Sequence, residues 1–494
     1  MKLFGQLLLA IALVFTAAIT QAQQPNILLI VSEDNGPELG CYGDQFARTP
    51  HLDQMAEEGI LFSRAFVPQA GCSQSRASYL TGLYPHQHGQ IGLATWGFRM
   101  YREDTPNLPH SLKKIGYRTG IIGKLHINPA SAFPFDMHQI TSANFNRVGL
   151  TDYAKHANDF IRAGDEPFFL SVNYPDAHDP WIEQVDGLPK DPQTKDDVQI
   201  MEYMGIDSPE FREMVADYYN CMSRLDSLIG DLLRVLDRAG KSDNTIVIYI
   251  GDHGADMLRG KRTCYEGGLR IPMLMRWPDH IVPQVRDELV TTLDLMPTLI
   301  KAAGAKPVNG LPGARLQPLF RSGSATWRTH CFAEYHTHAA APNYFPQRSV
   351  RSERFKLIES LLPDTVHPDY EKTIEKLHAD YGEQDNGGAL DLNAVITGAR
   401  PEVKAAYALM RRPPRYELYD LKTDPCEFRN LAEDQDYVKI RADLQERLNQ
   451  WRLDTNDPLL DPEKLRRLTS EVRSVKKKSV GKKHSWKYPE YLLD

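Results

Sequence analysis

The sequence predicts an α/β protein with a mostly parallel central sheet, and two observations support this fold class. Apolar runs of strand length alternate with amphipathic helical segments through the first 250 residues, which is the pattern of β-α units whose strands pair in parallel. In four places, charged or imidazole residues directly follow a predicted strand. Because ligand sites of open α/β sheets lie at the carboxyl ends of the strands, we expect these four groups to meet at one edge.

The predicted elements follow one another in a regular order. The run at 27–31 is continuously apolar, as a buried parallel strand should be. The longest helix is predicted to start at Ser208, an N-cap residue followed by proline at the first helical position. Further strands are predicted at 60–66, 118–122, 167–174 and 245–250, and helices at about 49–58, 108–115, 152–163 and 208–240.

The character of the chain changes at about residue 342. The segment 348–359 has the pattern of a β-hairpin, 416–419 that of another strand, and 438–454 that of an amphipathic helix. We therefore predict three parts: a signal peptide at 1–22, a catalytic domain at 23–341, and a smaller α+β domain with a basic tail at 342–494.

The composition and the N-terminus limit the possible partners and location. The net charge of −7 argues against nucleic acid as the main partner. Lys2, an apolar run at about 7–18 and small residues up to Ala22 predict a signal peptide. That run is short for a membrane span and no later stretch is long enough, so we expect an exported, periplasmic or secreted protein with no membrane partner. The six cysteines are too widely spaced to form a disulfide framework.

The segment at 70–82, AGCSQSRASYLTG, is the first candidate for chemistry. Cys72 and Arg76 lie where a loop is predicted to become a helix, so the thiol is placed at the positive end of the helix beside a guanidinium. Both effects favour an anion. The alternative is a buried free cysteine that packs as a small apolar side chain.

Two further groups of polar residues follow strands. Glu33, Asp34, Asp252 and His253 offer oxygen ligands suited to calcium or magnesium, although the histidine also admits transition metals. A second group is cationic and suits the charge of a sulfate; it comprises Arg76, Lys124, His126, His178 and Lys261. Taken singly, a lysine or histidine of the second group is more typical of an ordinary surface or core position. Glu33 and Asp34 fit a solvated strand end equally well, whereas a simple turn is the less favoured interpretation of Asp252 and His253.

The motifs together resemble the formylglycine-dependent (type I) sulfatases. The resemblance is carried by C-x-x-S-R-x-x-x-L-T-G from Cys72 and by G-K-x-x-x-Y-E-G-G-x-R-x-P from Gly260, and shorter matches extend over nearly the whole mature chain. Within the family, the chain is similar to the N-sulfoglucosamine sulfohydrolases (heparan sulfamidases). It departs from the family pattern at Gln74, where Pro or Ala is usual, and at Glu33, where Asp is usual.

The resemblance implies a fold, a cofactor set and a mechanism. The fold is alkaline-phosphatase-like, with an antiparallel sheet in the smaller domain. Position 72 becomes formylglycine (3-oxoalanine), whose hydrate attacks sulfur, and one Ca²⁺ is held by Glu33, Asp34, Asp252, His253 and residue 72. Arg76 holds the hydrate and Lys124 and Lys261 hold the sulfate. His178 is the proton donor to the leaving atom, and His126 is the base.

The implied partners are a sulfated saccharide and a formylglycine-generating or sulfatase-maturing enzyme. We expect the saccharide to be N-sulfoglucosamine of heparin or heparan sulfate. Between residues 334 and 351, the candidates for holding a sugar are His336, His338, Asn343 and Arg348, unless this segment is only a solvated linker. Three other functions remain open: an O-sulfatase for another polysaccharide, a phosphodiesterase or phosphonate hydrolase, and a glycan-binding protein without catalysis.

Overall fold

The structure is a computed structural model, and it describes residues 24–367, 370, 392–475 and 484–493. The predicted signal peptide and residues 476–483 of the basic tail lie outside the described residues. The strands are β1 Asn26–Ser32, β2 Ile60–Phe62, β3 Ala65–Phe66, β4 Arg118–Gly123, β5 Met137–Gln139, β6 Phe168–Asn173, β7 Thr245–Gly251, β8 Arg270–Ile271, β9 Met273–Arg276, β10 Gln284–Arg286, β11 Val290–Thr291, β12 Cys331–Tyr335, β13 Gln347–Arg351, β14 Phe355–Ser360 and β15 Tyr416–Asp420.

The helices lie between and after these strands. They are α1 Pro50–Glu57, α2 Cys72–Thr81, α3 Pro85–His88, α4 Leu108–Lys113, α5 Asp152–Arg162, α6 Pro209–Arg238, α7 Glu266–Leu269, α8 Leu295–Ala302, α9 Leu392–Gly398, α10 Pro401–Arg411, α11 Val438–Asp454, α12 Pro462–Ser474 and α13 Tyr488–Leu493. No helix in the described ranges is long and apolar enough to cross a membrane.

An eight-stranded sheet in the order β10-β2-β9-β7-β1-β6-β4-β5 forms the centre of the fold. Its pairs are parallel except those of β9, which runs against both β2 and β7, so the prediction of a mostly parallel sheet is confirmed. Every residue of β1 and β7 is buried, because a central strand of such a sheet is covered on both faces. The single strand predicted at 60–66 was wrong: β2 joins this sheet, whereas β3 joins a separate three-stranded one.

The longest helix, α6, begins as predicted and spans 30 residues. The Ser208 side chain accepts a hydrogen bond from the backbone N–H of Phe211, and Pro209 occupies the first turn. Both features favour a helix start at this point, because the first N–H groups of a helix lack partners within it. The helix packs against α1 and α5 beside the central sheet.

A second, antiparallel sheet in the order β12-β13-β14-β15 forms the C-terminal part of the fold. Its apolar face packs on α11 through Val350, Leu357, Leu418, Leu444 and Leu448. The predicted antiparallel sheet is confirmed, but its first strand begins at Cys331. The predicted boundary at residue 342 therefore falls inside this sheet, because the connection between β12 and β13 carries the change in composition that suggested the boundary.

Candidate active site

Four neighbouring parallel strands, in the order β7-β1-β6-β4, end at the same edge of the central sheet. Each is followed by polar side chains, so that one pocket receives Glu33, Asp34, Lys124, His126, His178, Asp252 and His253. Helix α2 begins at this edge and brings Cys72 to the same place. The Cys72 sulfur lies 3.4 Å from His253 Nε2.

Every residue of α2 is buried, including Cys72, which is 1% exposed. Burial raises the pKa of the Cys72 thiol, but Lys124 and Lys261 outweigh it and hold that pKa well below its usual range. The thiol also occupies the first position of the helix, where the free N–H groups and the helix dipole favour negative charge. The site is thus built to stabilise an anion at position 72.

The carboxylates of the pocket are paired with cations. Glu33 lies 2.7 Å from Lys124 Nζ and also contacts Arg76. Burial raises the pKa of Glu33, but Arg76 and Lys124 lower it to about 2. Asp34 accepts hydrogen bonds of 2.8 and 3.0 Å from Lys261 Nζ. The predicted cationic and acidic groups therefore form one cluster, in which Arg76 and Lys124 keep Glu33 charged.

The buried Arg76 side chain joins three strand ends. Besides Glu33, its guanidinium donates to the Lys124 carbonyl at 3.0 Å and to Asn173 Oδ1 at 2.7 Å. Sequence reasoning missed Asn173, although a polar residue at the end of an otherwise apolar strand was a usable signal. Asn173 binds Arg76 Nη1, whereas Nη2 contacts the carboxylates of Glu33 and Asp252, so the guanidinium is held at both ends.

The donor atoms fit a hard cation. Asp34, Cys72, Asp252 and His253 offer ligand atoms within 4.8 Å of one another, and Glu33 belongs to an overlapping group. Asp252 Oδ2 is buried and accepts no hydrogen bond from the described residues, although Arg76 lies 3.2 Å away. A buried carboxylate oxygen without a donor is unusual, and oxygen-rich sites of this kind suit calcium or magnesium.

Two histidines beside Cys72 have opposite tendencies to ionise. Burial lowers the pKa of His178, but Asp34 outweighs it and raises that pKa above its usual value. Burial and Lys124 together lower the pKa of His126 to about 4. His178 is therefore shifted towards the protonated form of an acid and His126 towards the neutral form of a base, a division typical of acid–base pairs.

Two of the site residues have strained backbones. Asp34 and His126 have φ angles of +50° and +55°, in the left-handed region that costs a non-glycine residue about 1 kcal/mol or more. Asp34 lies two residues after the end of β1 and His126 three residues after the end of β4. Such strain persists only where the surrounding structure enforces it, and here it turns each side chain into the pocket.

Gln74, the departure from the family motif, ties α2 to the C-terminal sheet region. Its Nε2 donates to the Thr337 carbonyl at 2.6 Å and to the Ile91 carbonyl at 3.3 Å. Pro or Ala at this position could make neither bond. Thr337 is adjacent to His338, so the amide holds the segment carrying that histidine beside the active site.

The four residues predicted to hold a sugar have different surroundings. His338 is partly exposed and is close enough to Lys261 and Cys72 for both charges to act on it. His336 and Arg348 are fully buried, and Asn343 accepts a hydrogen bond from the backbone of Ala339. Arg348 forms a two-pronged ion pair with Asp457 at 2.8 Å for both bonds. Such burial argues against a direct sugar contact by Arg348 or His336.

A central sheet whose strand ends carry carboxylates, lysines and histidines around a buried cysteine is the architecture of hydrolases with the alkaline-phosphatase-like fold. A family model described as Sulfatase matches residues 25–305, and one described as N-sulphoglucosamine sulphohydrolase, C-terminal, matches residues 251–385. The chain belongs to the sulfatase family. It is a hydrolase of sulfate esters or sulfamates.

Individual relatives agree with this assignment. The chain is 30% identical over 486 residues to human N-sulphoglucosamine sulphohydrolase, a match covering 90% of this chain and 93% of the relative. It is 27% identical over 445 residues to an ulvan-active sulfatase of Formosa agariphila, covering 87% and 80%. A protein solved with its substrate D-glucosamine-2-N,6-O-disulfate has the same fold, with a TM-score of 0.64 and 20% identity over 88% of this chain and 99% of that one.

Proposed function

We propose that this chain is an exported sulfatase that removes the N-linked sulfate from glucosamine in saccharides of the heparin or heparan sulfate type. The observation that carries the proposal is the setting of Cys72: buried at a helix start, with Lys124 and Lys261 stabilising negative charge. The 30% identity to an N-sulphoglucosamine sulphohydrolase over most of both chains supports the choice of bond. The neighbour solved with a glucosamine N,O-disulfate supports the choice of sugar.

Each residue of the site has a separate role in this reaction. Lys124 Nζ donates to Glu33, and Lys261 Nζ donates to Asp34. Both ammonium groups bind the sulfate oxygens and offset their charge. Arg76 orients residue 72. His178 gives a proton to the leaving nitrogen or oxygen as its bond to sulfur breaks. His126 accepts a proton from residue 72 when sulfate is released.

Two groups complete this machinery. Glu33, Asp34, Asp252 and His253 would hold a calcium ion, and Cys72 would be the precursor of formylglycine, made by a separate maturing enzyme. When present, the ion supplies positive charge that lowers the pKa of an oxygen bound to it, and the hydrated aldehyde supplies two hydroxyls on one carbon. Two overlapping groups that share Asp34 and Cys72, one with Glu33 and the other with Asp252 and His253, support both assignments.

Sulfate release from matched substrates tests the proposal. The enzyme from its native host would be incubated with N-sulfoglucosamine, with glucosamine 6-O-sulfate and with an aryl phosphate diester. We expect release from the N-sulfated sugar to be fastest and the phosphate diester to be the poorest substrate. The intact mass of the peptide holding residue 72 would show whether the thiol has become an aldehyde. Release from the O-sulfated sugar alone would reject the sulfamidase assignment and keep the sulfatase one.

A second candidate is an O-sulfatase for another polysaccharide. The observation favouring it is the 27% identity to an ulvan-active sulfatase over 87% of this chain. An O-linked leaving group would need the same lysines and the same proton donor. The experiment above separates the two candidates if sulfated ulvan oligosaccharides are added to the substrate set.

A further inference from the structure

An aromatic side chain lies against the proposed proton donor. The Phe145 ring stacks on the His178 imidazole, with centroids 3.8 Å apart and planes 16° from parallel. The Lys124 ammonium lies 5.0 Å from the centroid of the same ring. Phe145 is only partly buried, and its ring contacts both the proposed proton donor and a lysine of the site. The role assigned to His178 leaves this ring unexplained.

The loop that carries Phe145 connects β5 to α5 and has no regular structure between residues 140 and 149. One buried side chain fixes it. Arg147 is 1% exposed, and its Nε lies 3.0 Å from Asp176 Oδ1. Its two Nη groups donate to the carbonyls of Phe145 and His178. A single guanidinium therefore holds the backbones of the aromatic residue and of the proton donor together.

The Asp176 carboxylate that binds Arg147 is itself held in place. Asp176 also accepts two 2.8 Å hydrogen bonds from Arg224 of α6, so its position does not depend on Arg147 alone. The loop has three non-glycine residues in the left-handed region: Ile140, Asn144 and Arg147, with φ of 48°, 52° and 50°. Strain of this kind survives where the surroundings enforce it and is concentrated at functional sites.

We propose that Phe145 is a specificity-determining residue that fixes the plane of the His178 imidazole, and that Arg147 is the positioning residue that holds Phe145 in place. The inference rests on the proposed role of His178. The His178 Nδ1 bonds to the Asp179 carbonyl at 2.6 Å, which leaves Nε2 to face the pocket. With the stacked ring on one face and this bond at one edge, the imidazole cannot turn away from the leaving atom.

The consequence is selectivity for poor leaving groups. When the bond from sulfur to a sugar nitrogen or oxygen breaks, the leaving atom takes the proton of His178 Nε2. A nitrophenolate needs no such proton, because it is a stable anion. An imidazole that is free to rotate would therefore slow the cleavage of sugar sulfates and leave the cleavage of nitrophenyl sulfate nearly unchanged.

Leaving-group dependence in variants tests the inference. For Phe145→Leu we expect kcat on the sulfated sugar to fall by about tenfold to a hundredfold, as for loss of a well-placed proton donor, with kcat on 4-nitrophenyl sulfate within about twofold of wild type. Phe145→Tyr keeps the stacked ring and should restore kcat on the sugar. Arg147→Lys should resemble Phe145→Leu, because lysine cannot bond to both carbonyls and Asp176 together.

The controls keep the inference falsifiable. Val148 lies in the same loop and is 73% exposed. The Val148→Ala variant should therefore leave kcat on both substrates unchanged. Equal losses on both substrates in Phe145→Leu, or no rescue by Phe145→Tyr, would overturn the inference. His178→Ala separates it from the proposed function: if that variant has no leaving-group dependence, the proposed role of His178 fails. If His178→Ala loses more activity on the sulfated sugar than on 4-nitrophenyl sulfate, and Phe145→Leu does not, only the roles inferred for Phe145 and Arg147 fail.

Discussion

Two buried ion clusters can be compared within this molecule, one at the active site and one in the C-terminal part. Each contains three carboxylates. The active-site cluster pairs Glu33, Asp34 and Asp252 with Arg76, Lys124 and Lys261. The C-terminal cluster joins Glu334, Glu359 and Asp457 to His86, Arg348 and Arg452.

The clusters differ in how fully their polar atoms are paired. In the C-terminal cluster, Arg348 and Arg452 share Asp457, and His86 lies 2.6 Å from Glu334. Two of the three cations of the active site are lysines, and Asp252 Oδ2 and Arg76 Nε have no hydrogen-bond partner among the described residues. Arginine saturates carboxylates with a fixed fork, whereas lysine acts as a compact charge. The carboxylates of the C-terminal cluster are thus bonded to arginine and histidine, although the neighbouring His336 has no hydrogen-bond partner among the described residues. In the active-site cluster a carboxylate oxygen itself has bonding capacity left for a ligand.

Removing the proposed nucleophile should have the largest effect and should separate activity from stability. Cys72→Ala should lower sulfate release by more than about 1000-fold, because loss of a nucleophile costs several orders of magnitude. Its thermal unfolding should shift by only a few degrees, since no ion pair is broken. Circular dichroism melting and sulfate release would be measured on the same sample. Substantial remaining turnover would mean that another group attacks sulfur.

The opposite result is expected in the C-terminal cluster. Arg348→Met leaves the buried Asp457 with Arg452 as its remaining cation, so the free energy of unfolding should fall by about 3–5 kcal/mol. Activity per folded molecule should change little. Denaturant unfolding and KM for the sulfated sugar would be measured together. A large rise in KM without loss of stability would instead support the sugar contact predicted from the sequence.

A lysine of the active site should behave unlike that arginine. Lys124→Met removes one ion-pair hydrogen bond, to Glu33, whereas Arg348→Met removes two bonds to Asp457 and a contact with Glu334, so stability should change by less than in Arg348→Met. The value of kcat/KM should fall by about 100-fold or more, as for loss of one group that stabilises charge in a transition state. Steady-state kinetics on an aryl sulfate would test this. A loss of stability as large as that of Arg348→Met would mean that the two clusters have the same structural role.

Metal binding should give the smallest effect and should be confined to the active-site cluster. Calcium added to chelator-treated protein should restore activity where zinc does not. At 100 times its dissociation constant, it should also stabilise the fold by about 2.7 kcal/mol. Asp252→Asn should lose this stabilisation, whereas Asp457→Asn should retain it. Recovery with zinc alone would contradict the oxygen-ligand assignment.

The sequence was sufficient to predict the features of the fold and of the site that depend on local residue patterns. The apolar run that forms β7 predicted a buried strand, and the acidic pair after β1 marked the end of another. The order of the elements placed both strand ends at one edge of the sheet. The pairing of Arg348 with Asp457 spans 109 residues, and no periodicity in one chain links such positions. Phe145 was missed for a related reason: its loop has no helical or strand period, and its position depends on Arg147 reaching Asp176.

The complete burial of α2 has a consequence for the timing of events during biogenesis. No second protein can grip residues 72–81 once the domain is closed, because none of their side chains is exposed. If Cys72 is the precursor of formylglycine, as proposed above, the enzyme that modifies it would need access to this stretch before the helix packs into the fold. On that proposal, a molecule that folds first would keep its thiol and would be stable but inactive. The yield of active enzyme would then depend on the relative rates of modification and folding.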